Sequence, residues 1–80
     1  METVFVIERS NERICQYRCT ADVALKWHVA LDEYTAIFGT EDMAKSFMER
    51  NPPKDDSYVH RIVPVEYEYI PEQYIFRLPG

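Results

Sequence analysis

Glycine is nearly absent, with Gly39 and Gly80 the only two in eighty residues. A loop that wraps a phosphate needs several glycines, because a Cβ would stop the backbone amides from converging on the ligand. P-loop and dinucleotide-binding fingerprints are therefore excluded. Histidine and cysteine are as scarce, limited to His28, His60, Cys15 and Cys19. A structural zinc site draws four ligands, normally from two close pairs, and the chain shows no such spacing. A Cys–His nucleophile pair is formally available, but no glycine-containing elbow surrounds either cysteine. Both cysteines read as small apolar packing groups. His28 reads as an exposed, ordinary histidine and His60 as a partly covered structural one.

Other chemistry is missing too. No D-x-D-x-D-G loop is present, which excludes a calcium site of the EF-hand type. The carboxylate pairs Asp32-Glu33, Glu41-Asp42 and Asp55-Asp56 fall at turns or at a helix start. Turn chemistry and the helix dipole account for them without catalysis. The expectation is a protein that is not an enzyme, with no catalytic residues, no cofactor and no metal.

Positive charge is also in short supply. Nine Lys and Arg residues face fourteen Asp and Glu, for a net charge of −5. The basic residues occur singly along the chain, whereas phosphate binding needs them gathered on one face to release counterions. This argues against direct nucleic-acid binding. An acidic surface suits a basic patch on another protein, or simply keeps a small chain soluble. No apolar run approaches the roughly 20 residues of a membrane helix. Met1-Glu2-Thr3 opens no signal peptide. On one strand, Cys15 and Cys19 would lie about 13 Å apart at ~3.3 Å per residue. A disulfide needs less than about 7 Å, so two reduced thiols in a cytoplasmic protein are expected.

What is present is a globular composition, 46% apolar with eleven aromatic residues. Eighty residues make one small domain, 1–80. Thr3 to Glu8 is β-branched and aromatic and reads as a strand. Arg13 to Cys19 alternates with Cys15, Tyr17 and Cys19 on one side, a second strand. Between Ala21 and Leu31, apolar Val23, Leu25, Trp27, Val29 and Leu31 occupy every second position. That alternation favours a strand, with a helix capped at Thr20 as the rival reading. Tyr34 to Phe38 would be a further short strand.

A helix over about 40–50 follows from Thr40 as cap and Glu41 and Asp42 in the first turn. Met43, Ala44, Phe47 and Met48 form its apolar stripe, and Asn51-Pro52-Pro53 ends it. Tyr58 to Tyr69 reads as a long strand, with Pro64 demanding a sheet edge or a bulge. Residues 70–80 are either a last strand or an extended C-terminal arm. The fold class is α+β: an antiparallel sheet of four to five strands with one helix packed on one face. The other face is expected to be polar or covered by a partner.

One constellation stands out. Glu66, Tyr67, Glu68, Tyr69, Glu72 and Tyr74 interleave aromatic anchors with acids and contain no base. On an edge strand this would suit a protein interface. The plainer alternative has Tyr67 and Tyr69 facing the core and Glu66 and Glu68 facing water. Together these features favour a non-enzymatic protein-binding module whose partner carries a basic surface. It could be an inhibitor that blocks a nucleic-acid-handling protein. In general character the chain resembles small accessory proteins of phages and mobile elements, anti-CRISPR proteins among them, although no motif carries that likeness. The alternative is a self-assembling homodimer built on the long strand and the tail.

Overall fold

The computed structural model describes residues 1–54 and 57–78. The pair Asp55-Asp56 and the end of the tail, Pro79 and Gly80, lie outside the described residues. Five strands and one helix follow in chain order. These are β1 (Glu2–Ser10), β2 (Cys15–Arg18), β3 (Trp27–His28), α1 (Glu41–Arg50), β4 (Val59–Ile70) and β5 (Gln73–Arg77). They form one curled antiparallel sheet in the order β3-β2-β1-β4-β5, so the class is α+β.

β1 is the central strand because its sequence is apolar without a break from Val4 to Ile7. Val6 and Ile7 are consecutive and both buried, so both faces of β1 are covered there. One face carries Val4 and Val6, which pack with Tyr17 and Val65 into the core. Leu31, Val63, Tyr67 and Phe76 close around that cluster. The other face carries Ile7 opposite Ile62, and α1 lies against β1 and β4. The expectation of a polar or partner-covered second face is thus corrected: each face of the central strands has its own apolar packing.

The helix is held as its sequence implies. Thr40 Oγ1 accepts the Met43 N–H at 3.2 Å, and the Asn51 N–H donates to the Phe47 carbonyl at 2.9 Å. Ala44 is its buried residue and Phe47 meets Phe38, ring centroids 5.4 Å apart.

Pro64 is placed by the same rules. The Phe5 N–H and carbonyl both bond to Phe38, so they point away from β4. Phe5 faces Pro64 across the β1–β4 pair, which makes this a pair without hydrogen bonds. The Pro64 nitrogen therefore points to the outer side, and β5 pairs with β4 only from Glu66 onward. β4 is an edge where the proline needs one and an interior strand beyond it.

Two expectations change. Of residues 21–31 only Trp27–His28 is strand, and no helix forms there. The Cys19 N–H bonds to the Lys26 carbonyl at 2.7 Å, which folds the intervening residues into turns and leaves Leu25 and Val29 exposed. Residues 34–38 make two isolated bridges, Cys19 with Thr35 and Phe5 with Phe38, instead of a strand. In the tail, Gln73–Arg77 is β5, paired with β4 from Glu66 to Ile70. Among the described residues no helix is long and apolar enough to cross a membrane.

Candidate functional site

The basic residues, single in sequence, are not scattered in space. Register explains how. Arg9 faces Gln16 on β2 and His60 on β4, and Arg18 faces Trp27 on β3. Side chains of one parity share a face, so Arg9, Gln16, Arg18, Trp27 and His60 all project on the helix side of the sheet. The end of α1 and the segment after it bring Arg50 and Lys54 to the same place, and Lys26 precedes β3.

The result is an open groove of about 550 Å³ lined by Arg9, Arg18, Lys26, Arg50 and Lys54, with Trp27 and His60. Five of the nine basic residues are here, and among the described residues no carboxylate lines the groove. The premise that positive charge is dispersed is therefore corrected.

The guanidinium groups are held by rings. Arg9 lies 4.4 Å from the centroids of both Trp27 and Tyr58, and its Nε donates to Gln16 Oε1 at 2.7 Å. Arg18 sits 5.3 Å from the Phe47 ring and 6.0 Å from Trp27, and its Nη1 donates to the Cys19 carbonyl at 2.9 Å. Trp27 also meets His60 edge-on at 5.8 Å. Stacking fixes the plane of a guanidinium while leaving its outer N–H groups free to bind a carboxylate or phosphate in pairs. Because Arg9 occupies a face of Trp27 and a face of Tyr58, these rings are poor platforms for stacking nucleic-acid bases.

The six residues singled out from sequence are divided by the hairpin of β4 and β5. Tyr67, Tyr69 and Tyr74 share one side, with Tyr69 and Tyr74 at 5.0 Å and Tyr67 and Tyr74 at 6.4 Å. Tyr67 is half-buried against Phe76, while Tyr69 and Tyr74 are exposed. Glu66 and Glu68, of opposite parity, lie on the other side, and Glu72 occupies the turn. The tyrosines meet one another; the glutamates do not join them. The edge at this end is β5 and not β4.

The two free thiols also differ. Cys15 is exposed, and its thiol approaches the Tyr17 hydroxyl at 3.8 Å. Cys19 is buried, and burial pushes its thiol up. His28 is not an exposed histidine: its Nδ1 lies 2.8 Å from Asp32 Oδ2, and both side chains are largely covered. Glu8, buried on β1, is paired with Arg61 Nε at 3.1 Å across the strands. Sequence reading missed Arg9, Arg18, Lys26, Trp27, Arg50 and Lys54 as a group, because only strand register brings them together. Compared with protein-family models, curated proteins and solved structures, the chain matches none of them.

Proposed function

We propose that this chain is a non-enzymatic protein-binding domain whose working surface is the basic groove, and that it takes an acidic segment of a partner protein. The observation that carries this reading is the convergence of five basic residues on one groove in a protein of net charge −5. The other four basic residues, Arg13, Lys45, Arg61 and Arg77, lie outside the groove lining, so positive charge is concentrated there. A short acidic segment can lie within the groove. Arg9 occupies a face of Trp27 and a face of Tyr58, which takes away the stacking platforms a single-stranded nucleic acid would use and favours a protein ligand. The free thiols of Cys15 and Cys19 support a reducing, cytoplasmic setting.

The test is fluorescence anisotropy with a labelled oligo-glutamate peptide and a labelled single-stranded oligonucleotide, each at low and high salt. Peptide binding that weakens with salt and is lost in the Arg9→Ala/Arg18→Ala variant is the expected outcome. Tighter binding of the oligonucleotide would overturn the choice of a protein ligand. No binding of either would overturn the groove.

A second reading rests on the hairpin. Tyr69 and Tyr74 meet with their rings tilted by 57°, centroids 5.0 Å apart, yet stay 56% and 46% exposed, an aromatic pair facing solvent. Glu72 at the turn, with Glu66 and Glu68 on the opposite side of the hairpin, makes this end acidic and suits it to a basic partner, as an inhibitor of a nucleic-acid-handling protein of the anti-CRISPR kind would need. Tyr69→Ala/Tyr74→Ala would then abolish partner capture while leaving oligo-glutamate binding intact.

A further inference from the structure

We propose that Cys19, His28 and Asp32 form a binding site for one thiophilic divalent cation of the zinc class. The site lies on the sheet face opposite the groove, since His28 and Trp27 are adjacent in β3 and point to opposite sides. It is independent of the binding function proposed above.

Three backbone features bring the ligands together. Cys19 follows β2 and bridges to Thr35, while its N–H is tied to the Lys26 carbonyl. His28 is fixed by pairing with Tyr17. Asp32 starts a turn in which Oδ1 accepts the Tyr34 N–H at 2.9 Å and the Asp32 N–H donates to Thr35 Oγ1 at 2.8 Å. That use of Oδ1 leaves Oδ2 aimed at His28. One ligand atom from each of the three residues lies within 4.8 Å of the other two.

The donor set selects the ion. Sulfur, imidazole nitrogen and carboxylate oxygen suit zinc and its neighbours, whereas calcium and magnesium want oxygen throughout. Zinc bonds of about 2.0–2.3 Å hold neighbouring ligand atoms roughly 3.3–3.7 Å apart. His28 Nδ1 and Asp32 Oδ2, now 2.8 Å apart, would therefore give up their mutual hydrogen bond and open slightly to admit the ion. As the sulfur–metal bond forms, the thiol proton leaves to solvent and no electron changes hands. Cys19 is fully buried, but the His28 and Asp32 side chains are 22% and 28% exposed, which gives the ion an entry path and water a fourth position. The spacing C-x8-H-x3-D lacks the close pairs of familiar zinc motifs, so no motif search finds it. The bound ion would add a cross-link between the end of β2, β3 and the turn after it.

Cobalt is the probe, titrated into the reduced Cys15→Ser protein so that Cys19 is the sole thiol. The expected result is a thiolate-to-cobalt charge-transfer band that saturates at one equivalent, is bleached by zinc, and accompanies a rise in melting temperature. His28→Gln should abolish the band while circular dichroism shows a folded chain. Cys19→Ser should do the same; if the buried substitution prevents folding, the half-buried His28 variant decides. Absence of the band in the Cys15→Ser protein, or its persistence in His28→Gln, would overturn the site.

Discussion

The Arg9 guanidinium lies between the rings of Trp27 and Tyr58, 4.4 Å from each centroid. It joins a residue of the central strand to one from β3 and one just before β4. Arg9→Lys keeps the charge but loses the flat group that stacks on both rings and bonds Gln16. Affinity for an oligo-glutamate peptide is expected to fall about tenfold, or ~1.4 kcal/mol. Anisotropy checks it. Unchanged affinity would mean that the groove works by charge alone.

Ile7 is 2% exposed and sits beneath the helix face of the sheet, whereas Leu25 is 70% exposed. Both belong to apolar runs in the sequence, yet they should respond very differently to truncation. Ile7→Ala is expected to cost about 2–5 kcal/mol, through lost burial and the cavity left behind. Leu25→Ala should stay within about 0.5 kcal/mol. Urea unfolding of both variants measures the difference.

That contrast marks the limit of what the sequence could reveal. The helix was legible because its cap, its acidic first turn and its prolines are all local signals around Thr40 and Asn51. The long β4 and its proline were legible for the same reason. Residues 21–31 misled because alternation implies a partner strand, and β2 offers them only Tyr17 and Arg18 to pair with. The groove and the Cys19–His28–Asp32 cluster were illegible for another reason. Arg9 meets His60 only through the β1–β4 register, and His28 turns inward only because it pairs with Tyr17. The tyrosines of the hairpin could be named in advance, but their separation from Glu66 and Glu68 follows from parity once the strand is in place.

Burial pushes the Tyr17 phenol up to about 12, helped by the hydrogen bond its neutral hydroxyl shares with Cys15 Sγ and by the Glu8 carboxylate nearby. In the unfolded chain a tyrosine titrates near ~10. The folded state therefore favours the neutral phenol. Its contribution to stability is whole below pH ~10 and is lost as pH rises through the folded value. The stability difference between the native protein and Tyr17→Phe should be flat at neutral pH and move against the native protein over that alkaline interval. Urea midpoints measured across the interval test this. A difference that never changes would place the hydroxyl in water.

Glu72 has φ 68°, a left-handed conformation rare for a residue with a Cβ. It follows Pro71 in a two-residue loop between the paired Ile70 and Gln73. Proline supplies the first central residue of a type II turn, and the second position demands positive φ, which glycine accepts most easily. Glu72→Gly relieves the strain but gives the unfolded chain more freedom, for a net gain of about 0.5–1 kcal/mol. Glu72→Gln removes the charge and leaves the strain, so it should not gain. If both variants gained equally in urea unfolding, the penalty would lie in carboxylate repulsion along the hairpin and not in the backbone. A gain confined to glycine would mean that the strained turn holds Tyr69 against Tyr74 at a cost, and the pair's order could then be tested apart from its charge.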